Sequence, residues 1–336
     1  FNNSKRKKEM NKKQNFANLP SITSTYAGEA ASGYIAAALL SANTLDKKLV
    51  TIMPNVKYKS VIQKLDVSGI VQDASCDFVT SGSVAISEQV LTPKELQVNL
   101  QLCKQEFVAS WEALQLGYSA FDTIPASFND FLVSYVGGKV AEATEIAIWQ
   151  GTATNGSFQG YQTLLSASVA AGGATAVVSA KNVDGTIASG SITADNVMSK
   201  LAGIVSTIPN TVYGKQDLVI YVPTNVAKAY QIAASGQSTA TTYGANGYNN
   251  QFVIGEKPYN FNGIDLVLCP GLGSNKIVAA QKSNLFFGTG LLSDYNEVRV
   301  LDMANLDGSQ NYRVIMRYTA GVQFGIGQDI VYYGAY

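Results

Sequence analysis

Between Pro125 and Gly151 the stretch SFNDFLVSYVGGKVAEATEIAIWQ keeps apolar residues at helical spacing, and no other segment constrains the fold as strongly. Ser127 stands at the N-cap, Asp130 follows three residues on as in a capping box, and Gly151 is a natural stop. The expected helix has about 23 residues and spans about 34 Å. Phe128, Phe131, Leu132, Tyr135, Val136, Val140, Ala143, Ile146 and Ala147 give it one buried face along nearly its full length. Gly137 and Gly138 interrupt it. Each costs about 1 kcal/mol against alanine in a helix interior, so a kink or a close backbone approach is expected there.

Ahead of this helix the pattern is that of strands. Val56 to Leu65 and Leu96 to Val108 have strand character, the second with Leu96, Val98, Leu100 and Leu102 alternating against Gln97, Asn99, Gln101 and Cys103. Val67 to Pro93 between them is polar and turn-rich. The whole reads as a long two-stranded excursion and return, and a hairpin of that size is marginal unless it lies on something. Further upstream, Glu29 to Ala42 (EAASGYIAAALLSA) reads as a short helix that docks on a partner surface.

Beyond the long helix, Gly151 to Gly190 is rich in Gly, Ala, Ser and Thr and reads as loops and light strands, with a domain boundary in it. A compact unit of mixed sheet and helix follows: helix from Thr193 to Ile208, strand from Asp217 to Val222, helix from Asn225 to Ala234, strands at Ile264 to Cys269 and Lys276 to Gln281. A long polar loop, Ser235 to Gly263, splits it, and loops of that length are functional or disordered. The chain ends in strands, with Tyr312, Val314, Met316 and Tyr318 alternating against Arg313, Ile315 and Arg317. The fold class is α+β.

The chemistry that the chain excludes is as informative. It has no histidine, which removes Ser-His-Asp triads, Cys-His dyads and HExxH zinc sites. Cys76, Cys103 and Cys269 are odd in number and widely spaced, against a disulfide framework or a zinc site. Gly271-Leu272-Gly273 lacks the third glycine and the following helix of a dinucleotide loop, and reads as a hairpin turn. Gly138-Lys139 lacks the earlier glycine and the Ser or Thr of a phosphate loop. Glu142 and Glu145 share a helix side with Lys139; a solvated or subunit-facing surface explains them better than an acid/base pair. Trp111 and Trp149 fit core or interface packing. No enzyme activity and no cofactor are expected, and no apolar run approaches the roughly 20 residues of a membrane helix.

The charged fraction is 14% in a chain that is 46% hydrophobic, and low surface charge favours extensive self-contact. Tyrosine, at 18 copies, suits contact surfaces, where both ring and hydroxyl are used. Of 24 bases and 24 acids, six bases (Lys5, Arg6, Lys7, Lys8, Lys12, Lys13) and one acid (Glu9) fall before residue 14. A tail of charge +5 therefore precedes a body of charge −5. By itself this fits a solvated, disordered terminus best; the sharper reading is an arm lying on an acidic neighbour or on packaged nucleic acid.

The order of these segments, with stretches such as NVKYKSVIQKLDV and FNDFLVSYVGGKVAEATEIAIWQG, resembles the major capsid proteins of tailed bacteriophages with the Hong Kong 97-type (HK97-like) fold. The resemblance covers nearly the whole chain. It implies an N-terminal arm over 1–50, an extended loop over 51–110, and a peripheral domain over 111–189 with a spine helix over 127–150. It implies further an axial domain over 190–283 and a return to the peripheral domain over 284–336. The implied function is a shell subunit that assembles into hexamers and pentamers of an icosahedral head around double-stranded DNA, built in the bacterial host cytoplasm and found in the virion. Portal, scaffold and decoration proteins are the further partners it implies, and no membrane. Some members crosslink lysine to asparagine between subunits; Lys57, Lys59 and Lys64 lie in the corresponding region, although no motif assigns that chemistry. Some also cleave an N-terminal segment, which would account for a start at Phe1. The alternatives are an encapsulin-type compartment shell of the same fold and a secreted adhesin or surface-layer protein, against which the long capped helix weighs.

Overall fold

The computed structural model describes residues 23–27, 42–56, 58–68, 71, 73–74, 82–103, 127–154, 156–234, 259–290, 297–303, 309 and 311–334. In chain order the elements are β1 (Thr23–Ala27), α1 (Asn43–Asp46), β2 (Thr51–Met53), β3 (Ser60–Ser68), β4 (Ser83–Leu91), β5 (Lys94–Cys103), α2 (Ser127–Gln150), α3 (Tyr161–Ala171), β6 (Val178–Ser179), α4 (Val197–Thr207), β7 (Leu218–Val222), α5 (Thr224–Ala234), β8 (Tyr259–Phe261), β9 (Ile264–Leu268), β10 (Ile277–Gln281), β11 (Leu285–Thr289), β12 (Glu297–Asp302), β13 (Asn311–Phe324) and β14 (Val331–Tyr333). They form a mixed α/β molecule with two six-stranded sheets and one separate hairpin.

The first sheet is organised by β13, the longest strand. Its first half lies between β12 and β5, and its end pairs with β11, which in turn carries β2 in parallel; β1 closes the far edge on β12. The two-residue period sends Val314, Met316 and Tyr318 into the core and leaves Arg313 and Arg317 exposed. The second sheet has the order β6-β14-β10-β7-β9-β8, with β7 parallel to β9 and β10 antiparallel to β7 and β14. It is buried on both faces, and alternation divides it between two cores. Val219, Tyr221, Val278, Ala280 and Tyr332 face the first sheet, α2 and α3, whereas Leu218, Ile220, Val222, Ala279 and Tyr333 face α4 and α5. A run such as LVIYV is wholly apolar because both its sides are covered.

Several expectations are corrected here. The segment after Gly151 is not only loop and light strand: Tyr161–Ala171 is a helix whose Tyr161 and Leu165 are fully buried. Its leucines and alanines are good helix formers, and the flanking Gly160 and Gly172 punctuate it. Gly160 also makes the join to α2 possible. An added Cβ would stand 2.6 Å from the Gly151 nitrogen and 2.7 Å from the Ala147 carbonyl, while Gly160 N–H donates to Gly151 O at 2.8 Å. The strand at 94–103 is not the return limb of the excursion; it pairs along its length with β13 in the first sheet. The last residues of the expected polar loop, 259–263, belong to a β8–β9 hairpin turned by Asn262 and Gly263, both at positive φ. Gly271-Leu272-Gly273 is not a hairpin turn either, because β9 and β10 lie on opposite sides of β7. The loop crosses that strand end with Gly271 packed on α2, where a Cβ would meet Glu145 O at 2.2 Å.

Within α2 the helix is continuous through Gly137 and Gly138. A Cβ at Gly138 would meet nothing within 4 Å, so close approach does not explain that glycine. Of the expected face, Val136, Val140 and Ala147 are buried, whereas Tyr135 and Ile146 are half exposed and Ala143 is exposed; Ala141, Ile148 and Trp149 complete the buried side. The second half of α2 carries apolar residues on more than one side, so spacing alone does not single out a face. The expected helix at 29–42 lies outside the described residues, except Ala42.

Candidate functional site

The excursion is the β3–β4 hairpin, antiparallel from Ser60↔Leu91 at its root to Ser68↔Ser83. In this register Val61 faces Val90, Gln63 faces Glu88 and Leu65 faces Ile86, so one side of the ribbon carries a run of apolar positions interrupted by a single polar pair. That pair is joined by a hydrogen bond from Gln63 Nε2 to Glu88 Oε1 at 2.8 Å. Val61, Ile86 and Val90 remain 49%, 62% and 43% exposed. Three large apolar side chains on one face of a projecting two-stranded ribbon are unusual for a surface with no partner. A second exposed apolar stripe runs along α2, where Tyr135, Ala143 and Ile146 flank the Lys139–Glu142 ion pair of 3.1 Å.

The root of the hairpin is fixed on the other side of the ribbon. Leu91 is fully buried against Gly288 of β11, and Gln323 Nε2 donates to Val90 O at 3.0 Å. Ile62 approaches Gly325, and a cleft of about 180 Å³ opens there between Ile62, Gln63, Ser283, Asn284, Phe286 and Ile326. Asn284 shapes its floor, donating through Nδ2 to Ile326 O at 2.8 Å and accepting from Ile326 N–H at 2.7 Å. Beside it, Asp217 accepts from Ser283 Oγ at 2.5 Å and Gln281 Nε2 at 2.7 Å. Partial burial pushes the Asp217 carboxyl up, but these hydrogen bonds outweigh it and hold the group below its ordinary value. In this structure the cleft seats the root of the ribbon.

Of the lysines singled out in the sequence, Lys59 is exposed just before β3 and Lys64 stands on β3 opposite Ser87. Lys57 lies outside the described residues, as do Lys5, Arg6, Lys7, Lys8, Lys12, Lys13 and Trp111. Cys103 is exposed and Cys269 buried, both free. Among the described residues no group of side chains could hold a metal ion, and no helix is long and apolar enough to cross a membrane.

Glu145 is the residue that sequence reasoning misjudged. Glu142 is solvated, but Glu145, one turn on, is buried and accepts from Thr44 N–H at 2.8 Å and Thr44 Oγ1 at 2.7 Å. Trp149 Nε1 donates to the same Thr44 hydroxyl at 2.9 Å. Residues three apart on a helix differ by about 60° around its axis, enough to straddle the edge of a buried face. The signal available was the adjacency of Glu145 to Ile148 and Trp149.

The chain can be compared with known proteins on this geometry. The capsid chain of an empty GTA particle superposes with a TM-score of 0.54 at 12% identity, covering 89% of this chain and 90% of that one. A chain of the satellite phage P4 procapsid gives 0.51 at 10% identity, over 89% and 97%. The chain has the fold of a phage capsid subunit. A chain of Gordonia phage Cozz agrees, with a TM-score of 0.53 at 10% identity over 87% of each chain. No protein-family model and no curated protein sequence matches. At such identities the capsid-type fold is common ground while the surface residues are this chain's own.

Proposed function

We propose that this chain is the major capsid protein of a tailed bacteriophage, assembling through hexamers and pentamers into an icosahedral head that encloses double-stranded DNA. The observation that carries the reading is the likeness to capsid chains over nearly nine tenths of the chain, joined to a projecting hairpin whose apolar face the subunit itself leaves uncovered. In this reading the β3–β4 hairpin, within 51–110, is the extended loop, and its Val61, Ile86 and Val90 lie across a neighbouring subunit. Residues 1–50 are the N-terminal arm and 111–189 the peripheral domain with α2 as its spine. Residues 190–283 are the axial domain, whose sheet also takes β6 and β14 from the flanking segments, and 284–336 return to the periphery. Lys5, Arg6, Lys7, Lys8, Lys12 and Lys13 contact packaged DNA or an acidic neighbour without sequence specificity, and Lys57, Lys59 and Lys64 line the inter-subunit loop. Shell stability comes from many modest contacts acting together. The protein acts structurally, in the virion, after assembly in the host cytoplasm with portal, scaffold or decoration proteins.

Electron microscopy of the chain expressed alone tests this. Closed shells or capsomer rings are expected, with DNA as the content of particles formed during infection. Shells that instead copurify with a cargo enzyme would favour the encapsulin-type compartment. A chain that stays monomeric at high concentration, with or without a scaffold protein, would overturn the shell reading.

A further inference from the structure

Residues 42–50 are attached to the body in an unusual way. Among the described residues its backbone-to-backbone hydrogen bonds are internal, from Leu45, Asp46, Lys47, Lys48 and Leu49 back to Ala42, Asn43, Leu45 and Thr44. No strand ladder joins it to either sheet. It is held by side chains: the two Thr44–Glu145 bonds, Trp149 on Thr44, Asn43 Nδ2 on Leu268 O at 2.9 Å, and Tyr221 hydroxyl on Leu49 O at 2.6 Å. Leu45, Leu49 and Val50 are buried beneath it. The cleft that receives the segment is built from α2, β7 and the end of β9, which are tied to one another independently, as by the bond from Gln150 Nε2 to Gly271 O at 2.7 Å.

We propose that residues 42–50 are a strap that docks into this cleft as a unit and can release without global unfolding, with Glu145 as its keeper. The physical reason lies in the carboxylate. Burying a charge among neutral donors costs hydration that water returns as soon as the strap lifts, so opening is easier than the apolar contact area implies. Closure demands that Thr44 present both its N–H and its hydroxyl to Glu145, which fixes the strap in one register. The strap connects the N-terminal residues to α2, so the device couples whatever holds the N-terminus to the long helix. The inference does not depend on the capsid reading.

Cys269 supplies the reporter. It is fully buried beside Thr44 and Glu145, and burial, reinforced by the neighbouring carboxylate, pushes its thiol well above the ordinary range. In the full chain with Cys76 and Cys103 replaced by serine, native-state labelling of Cys269 by a small thiol reagent measures strap opening. Glu145→Gln leaves a single, uncharged acceptor for the two Thr44 donors, and Thr44→Val removes the hydroxyl. Each is expected to raise the labelling rate about tenfold or more, since each weakens or removes a hydrogen bond to a charged group. The denaturant dependence of labelling should be much shallower than that of global unfolding, because little surface is exposed. Labelling that follows the global unfolding equilibrium in the parent and both variants, or that neither substitution changes, would overturn the strap.

Discussion

Two glycines of the long helix region make opposite demands at the scale of single residues. Gly160 is pressed on the backbone of Gly151, Ala147 and Trp149, with no flexible side chain that could yield. Gly160→Ala should destabilise the subunit by about 2–3 kcal/mol through overpacking. Gly138 lies in a regular helix facing open space, and Gly138→Ala should stabilise the subunit by up to about 1 kcal/mol. Chemical denaturation of the unassembled subunit checks both signs. Asp217 gives a pH prediction. Its folded-state carboxyl titrates below the ordinary value, so the stability it contributes is present above about pH 4 and is lost as pH falls through the lowered value. The stability difference between the parent and Asp217→Asn should therefore be constant above about pH 5 and shrink below pH 4. A difference independent of pH from 7 down to 3 would show that the hydrogen bonds from Ser283 and Gln281 do not favour the ionised form.

The hairpin and the body make separable contributions at the scale of elements. Among the described residues β3 and β4 pair only with each other, and Ile62, Leu91 and the bond to Val90 O anchor them at the root. Replacing residues 64–87 by Asn-Gly keeps that root, keeps the Gln63–Glu88 pair and closes the ribbon with a favoured turn. The body should keep its unfolding midpoint, because both cores are intact, while assembly stops at soluble subunits or capsomers. Normal shells from this variant would remove the hairpin from the assembly contacts. The excursion as such was legible in the sequence, but its return limb was not. The segment 94–103 alternates as cleanly as any strand, yet β13 claims it, because a long central strand with apolar Val314, Met316 and Tyr318 offers a better partner than a polar ribbon. Pairing between strands some 200 residues apart leaves no local trace.

The separation of charge is the feature that acts at the scale of the whole molecule. A first segment of charge +5 precedes a body of charge −5, and in the proposed shell its contact with an acidic surface would be salt-sensitive. Deleting residues 1–13 should leave the subunit folded while altering shell assembly or DNA retention, read by circular dichroism, particle counts and genome content. Unchanged particles with unchanged genome content would reduce the arm to a tail. Both sheets, α2 and α3 share one core, so the body responds as a unit, and the second core beneath α4 and α5 is joined to it through the common sheet.

The sequence alone determined the elements whose signal is local. Helical spacing with Gly151 as a stop located α2, two-residue alternation located β13, and apolar runs bounded by turns located β7, β9 and β10. The missing histidine and the scattered cysteines turned the reading from chemistry toward self-contact, and segment order pointed to the fold. Tertiary structure decided everything that depends on which surface faces which. It chose the buried side of α2, taking in Ala141, Ile148 and Trp149 and leaving Tyr135, Ala143 and Ile146 outside. It made Gly271 a seat for a crossover loop and not the tip of a hairpin. It also took Glu145, which the sequence offers as one more surface carboxylate, and placed it inside against Thr44 and Trp149. The reason is common to all three: periodicity fixes how a segment is built, but burial is a property of pairs of segments, and the pairs are chosen by packing at long range.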